Sequence, residues 1–120
     1  MNTRKRRVLT KREKLRLWFR DGGRCVYCGT WINPLYYQET NMLNKVFKQF
    51  GWHIEPMEMD HFVPFSHNGK QTDNNMVCAC KTCNRKKSNN RGWKKRNPSI
   101  IGKILYWFYP VIEQELKELK

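Results

Sequence analysis

An aspartate beside a histidine, Asp60-His61, is followed by Asn75 and then by the run Cys80-Lys81-Thr82-Cys83-Asn84-Arg85-Lys86-Lys87. Hydrolysis of a phosphodiester needs a nucleophile made from water, stabilisation of charge on the phosphoryl oxygens and relief for the leaving oxygen. A histidine titrates near neutrality and takes a proton from water, so His61 is the candidate general base. Asp60 and the side-chain carbonyl of Asn84 are hard oxygen donors suited to Mg²⁺ or Mn²⁺. Two such protein ligands leave the cation open to water and to substrate. Neighbours on a regular strand point to opposite faces, so Asp60 and His61 converge only if the strand twists or ends there, and Pro64 supplies such an end.

The cysteines ask for a different metal. Cys25/Cys28 and Cys80/Cys83 form two Cys-x-x-Cys pairs, four soft ligands for a tetrahedral zinc with no open coordination position. The 51 residues between the pairs are too many for a simple finger, so the zinc is expected to staple two distant parts of the chain, its binding energy appearing as folding energy. The pairing also points to a reducing compartment rather than a secreted disulfide framework. Cys78, the fifth cysteine, is expected to be a small apolar residue packed in a strand.

These residues need elements to carry them. Thr10 and Glu13 are spaced as a capping box, and Leu15, Trp18 and Phe19 fall on one face, predicting a helix from Thr10 to Arg20 closed by Asp21-Gly22-Gly23. Lys11, Arg12, Lys14, Arg16 and Arg20 lie on its outer face, a surface for a phosphate backbone. Cys25 to Gly29 reads as a zinc knuckle. A strand is expected from Trp31, interrupted at Pro34, then a helix over 39–50 with Leu43, Val46, Phe47 and Phe50 turned to the core. Met57 to Phe62 and Asn75 to Ala79 read as the strands of a long-looped hairpin, with a basic helix following from Asn84 to Asn90. Residues 99–120 read as two helical pieces divided at Pro110, with Ile101, Ile104, Leu105 and Phe108 lining the first. The expectation is an α+β domain over 10–97, preceded by a basic arm over 1–9 and followed by a helical segment over 98–120 that packs on the domain or pairs two subunits.

The segment over about residues 23–91, with its Asp60-His61 pair, Asn75, paired knuckles and Asn84, resembles the HNH endonucleases. That resemblance implies a ββα-metal core in which His61 is the general base, Asp60 and Asn84 hold the catalytic cation, and Asn75 braces the loop and orients His61. It implies Cys25, Cys28, Cys80 and Cys83 as the zinc set, and a hydrolytic cut leaving 5′-phosphate and 3′-hydroxyl ends. The chain departs from the family pattern at His67-Asn68-Gly69, where a glycine pair is common, at Asn84 in place of histidine, and in a longer 30–56 segment.

Charge narrows the substrate. The 120 residues carry 24 Lys+Arg against 10 Asp+Glu, a formal +14, and residues 81–103 hold nine Lys or Arg and no Asp or Glu. The charge points to nucleic acid and the resemblance implies DNA, contacted by Arg85, Lys86 and Lys87 at the start of the basic helix and by Lys94, Lys95 and Arg96 after it, with the positive N-terminus of that helix favouring a phosphate. No spanning apolar run, signal segment or lipidation motif is present, so the expectation is a soluble cytoplasmic protein, monomer or homodimer. The rival readings are a non-catalytic zinc-dependent nucleic-acid-binding module and an RNA-associated protein, neither of which gives His61 a role.

Overall fold

The computed structural model describes residues 8–34, 37–51, 53–90, 92–97 and 99–118, so most of the expected basic arm lies outside the described residues. In chain order the elements are α1 (Lys11–Arg20), β1 (Trp31–Asn33), α2 (Tyr37–Phe47), β2 (Ile54–His61), β3 (Met76–Cys80), α3 (Lys81–Lys87), α4 (Ile100–Trp107) and α5 (Tyr109–Glu118). Single 3₁₀ turns follow α2 and β2. The mixture is a small α+β fold.

The central strand is β2. It pairs in parallel with β1, joined to it through α2, and antiparallel with β3, with Asp60 opposite Val77 and His61 opposite Met76. All five residues of β3 are buried, so it reads as a continuous apolar run rather than an alternating one. Cys78 lies fully buried within it, and burial raises its thiol pKa, as suits a packed, uncharged residue.

The N-terminal helix forms where the capping box places it: Thr10 Oγ1 accepts from Glu13 N at 3.2 Å, and Glu13 Oε1 accepts from Thr10 N at 3.1 Å. Its most deeply buried residue is Leu17, outside the apolar triplet expected to face inward. The basic face is also less free than its composition implied. Arg20 pairs with Asp21 and donates to the Asp73 and Met76 carbonyls, Arg16 stacks on the Tyr106 ring at 4.1 Å, and Arg12 meets Glu113.

Two further expectations are corrected. Val46 and Phe50 are more than half exposed rather than core: α2 packs on β2 with Asn44 Oδ1 accepting from Ile54 N, and the residue it buries fully is Thr40; the side chains of Leu43 and Phe47 lie outside the described ones. The basic helix begins at Lys81 rather than Asn84, since the Cys80 sulfur caps it by accepting from Cys83 N at 3.3 Å. The stripe of Ile101, Ile104 and Phe108 points outward. What α4 buries instead is Gly102, where a Cβ would stand 2.2 Å from the Arg20 carbonyl oxygen, so only glycine lets the two helices approach this closely.

Candidate active site and metal centre

The two cysteine pairs meet. Cys25 and Cys28 flank the turn after α1, Cys80 ends β3, and Cys83 sits in the first turn of α3; all four Sγ atoms lie within 4.8 Å of one another. The Cys28 and Cys80 sulfurs are 3.8 Å apart, the spacing of two thiolates sharing a tetrahedral ion at a Zn–S distance of about 2.3 Å. A hydrogen bond from Cys80 outweighs burial and pulls the Cys25 thiol down to about 5. The four thiols are positioned to hold a metal ion, and their chemistry suits zinc.

The start of α3 is held by a residue the sequence did not single out. The buried Glu55 carboxylate accepts from Thr82 N at 3.0 Å and from Thr82 Oγ1 at 2.6 Å, and pairs with His53 at 2.8 Å. Burial would raise its pKa, but the Thr82 hydrogen bonds and His53 outweigh it and hold the carboxyl below its ordinary value. This helix end, expected to favour a substrate phosphate, therefore already has its anion.

An open cleft of about 360 Å³ lies between the end of β2 and the middle of α3. Asp60, His61, Asn84, Arg85, Ser88 and Asn89 line it, so the expected base and both expected cation ligands face one space. Asp60 and His61 share the cleft because the strand ends at His61, where Pro64 and Phe65 turn the chain and Phe65 packs edge-on against the imidazole at 5.4 Å.

Asp60 is held from behind. Its Oδ2 accepts the Tyr27 hydroxyl at 2.5 Å and lies 3.0 Å from Lys87 Nζ, which also donates to the His61 carbonyl at 3.0 Å. Burial, and then Asp60 itself, push the Tyr27 phenol above its ordinary pKa, so the hydroxyl keeps its proton and donates. The Tyr27 ring is fixed by Trp93 at 5.3 Å and Phe62 at 6.5 Å. Asn84 is oriented in a similar way: its Nδ2 donates to Glu58 Oε1 at 3.0 Å, leaving the side-chain carbonyl for a cation. Glu58 in turn pairs with Arg85 at 3.3 Å. Asp60 and Asn84 are the oxygen donors lining the cleft that could hold a hard divalent cation.

Asn75 closes the loop between the strands. Its Oδ1 accepts from Val63 N at 2.8 Å, while its Nδ2 donates to the Val63 and Lys70 carbonyls at 3.1 and 2.8 Å. The departure at His67-Asn68-Gly69 is accommodated there: Asn68 takes φ +65, and a Cβ on Gly69 would stand 1.7 Å from the Val63 oxygen.

Among the basic residues, Arg85 lines the cleft and Lys86 and Lys94 are exposed. Exposed Lys95 lies over the Phe62 ring at 4.8 Å, and Arg96 donates to the Cys25 carbonyl at 3.3 Å. Lys87 is the correction: it is fully buried and ion-paired with Asp60, unable to reach a phosphate backbone. Helical spacing carried the signal, since Lys87 falls three residues after Asn84, on the face turned to β2. Glu58 was legible in the same way, two residues before Asp60 on the same face of the strand. Nothing in the sequence marked Tyr27.

The family model for HNH endonucleases matches residues 46–90, from the end of α2 to just beyond α3. The matched segment contains Asp60, His61, Asn75, Asn84 and the second cysteine pair. No curated protein and no solved structure matches the chain. The first cysteine pair and Tyr27 lie outside the matched segment and reach it through the metal set and through Asp60. No helix among the described residues is long and apolar enough to cross a membrane.

Proposed function

We propose that the protein is a metal-dependent DNA endonuclease that hydrolyses phosphodiester bonds to 5′-phosphate and 3′-hydroxyl ends. The observation that carries this reading is the single cleft lined by Asp60, His61, Asn84 and Arg85 within the HNH segment. His61 removes a proton from the attacking water. Asp60 and Asn84 hold Mg²⁺ or Mn²⁺, which when bound supplies Lewis acidity at the phosphoryl oxygens and leaving group.

The other residues position these. Tyr27 and Lys87 occupy one oxygen of Asp60 and so present the other to the cleft; Glu58 does the same for Asn84 through its amide nitrogen. Asn75 holds the loop that follows His61. Arg85 at the cleft wall, with Lys86, Lys94, Lys95 and Arg96, binds the phosphate backbone and gives affinity without sequence. Cys25, Cys28, Cys80 and Cys83 hold a structural zinc that staples residues 23–30 to the hairpin. In this reading residues 10–97 are the nuclease unit and 98–120 its flank.

The test is the chemistry of the ends. Nicked plasmid made by the protein with Mg²⁺ or Mn²⁺ should be resealed by DNA ligase without prior phosphorylation. Nicks that ligase cannot close until a kinase has acted would contradict the reading, as would plasmid binding with no scission under either metal.

A further inference from the structure

One face of the C-terminal helices is apolar and uncovered. Ile100, Ile101, Ile104, Trp107, Phe108 and Val111 are between 49% and 77% exposed. Their spacing of i, i+1, i+4, i+7, i+8 and i+11 puts them on one side of a helix. Helical hydrogen bonds run through the junction at Pro110, from Phe108 N to the Ile104 carbonyl and from Ile112 N to the Phe108 carbonyl, so α4 and α5 present that side together.

Among the described residues the domain does not cover this face, because its opposite side is already docked. Gly102 abuts the end of α1, Tyr109 is buried against Phe19, Tyr106 lies under Arg16 and reaches Asp73 with its hydroxyl, and Glu113 meets Arg12. A helix pinned along one side by these contacts has no freedom to turn its apolar side inward. Two large aromatics and three isoleucines left in water in this way mark a contact surface rather than scattered surface residues.

We propose that this face pairs with the same face of a second copy of the chain. Charge selects that occupant. The chain as a whole is +14, but residues 99–118 carry two lysines against three glutamates. This segment is therefore where two copies approach without opposing like charges, and its near-neutrality gives an acidic or nucleic-acid partner little to recognise. The area is of the right size: six apolar residues at these exposures offer on the order of 800 Å² per copy, the half-share of a standard interface. A two-fold pairing is isologous, so the same six residues serve both sides. It places two HNH sites in one particle, the arrangement needed to cut both strands of a duplex.

The pairing has a salt signature opposite to that of DNA binding. Like charge over the rest of the surface opposes association and is screened by salt, whereas phosphate contacts weaken with salt. The test is sedimentation velocity of the full zinc-loaded chain over a concentration and salt series, a reading of mass that does not depend on cutting. The wild type should sediment at twice its 14.6 kDa, more tightly associated at higher salt. The double variant Ile104→Glu/Trp107→Glu, with zinc content and far-UV circular dichroism unchanged, should dissociate at least about 30-fold more readily. Met42→Glu/Phe50→Glu, on the smaller exposed stripe of α2 and its following turn, should leave the dimer intact. A wild type that stays at 14.6 kDa throughout overturns the proposal, as does a dimer broken by the α2 variant instead. A monomer that floats with anionic vesicles would assign the face to a lipid surface and overturn it equally.

Discussion

The Tyr27 hydroxyl stands 2.5 Å from Asp60 Oδ2, joining a residue inside the first cysteine pair to a carboxylate at the end of the central strand. The bond runs from the four-cysteine cluster into the cleft. Cys25 and Cys28 fix the turn, the turn fixes Tyr27, and Tyr27 fixes which oxygen Asp60 presents. Tyr27→Phe removes the donor and keeps the ring between Phe62 and Trp93. It should retain zinc and a cooperative melt, at a cost of about 1.5–3 kcal/mol for a hydrogen bond to a charged group, while losing about 10- to 100-fold in Mn²⁺ affinity or cutting, the scale for partners that orient a metal ligand. Calorimetric Mn²⁺ titration beside zinc analysis checks this, and unchanged Mn²⁺ binding with unchanged cutting would remove Tyr27 from the account.

Lys86 and Lys87 are neighbours in one basic run and are expected to behave as opposites. Lys87→Met leaves Asp60 without its ammonium partner inside the fold, a loss of about 3–5 kcal/mol for breaking a buried pair. Exposed Lys86→Ala should leave the melting temperature unchanged and lower the slope of DNA affinity against salt by about one unit. Thermal melts and a salt titration of binding read the two effects separately.

Asn75→Ala deletes three hydrogen bonds at once and leaves the Val63 amide without its acceptor. A cost of about 2–3 kcal/mol is expected, with a loss of cutting larger than the lost stability explains, because the loop begins at His61. Denaturant melts and initial cutting rates on the same preparation separate the two.

Cys83→Ser should lose zinc binding together with the cooperative melt, since an ion held by the four thiols would tie the turn at residues 25–28 to the start of α3. Cys78→Ala should keep its zinc, because Cys78 is buried in β3 apart from the four-thiol set. Metal analysis of the two proteins distinguishes a dedicated set of four from a general dependence on cysteine.

The parts legible in advance were those written in short-range spacing. The capping box of α1, the two Cys-x-x-Cys pairs and the Asp60-His61 corner before Pro64 each depend on residues a few positions apart. Tyr27 meeting Asp60 depends on tertiary closure across 33 residues, and no local pattern encodes it. Lys87 was misread because a basic run looks like a solvated face until its helical phase relative to Asn84 is counted. The C-terminal stripe is a different case. Hydropathy marks an apolar face without saying what covers it, and here Gly102, Tyr106 and Tyr109 had already claimed the domain for the other side of the helix. The start of α3 lies at Lys81 because Cys80, a member of the four-cysteine cluster, is also the helix cap.

The most direct test of the nuclease reading is conversion of supercoiled plasmid to nicked and linear forms, comparing the wild type with zinc-replete His61→Ala in Mg²⁺, Mn²⁺ or EDTA. The account predicts metal-dependent cutting by the wild type, none in EDTA, and a loss of at least about 100-fold in the variant, the scale of a missing general base. A folded, zinc-containing His61→Ala protein that cuts as fast as the wild type would contradict it.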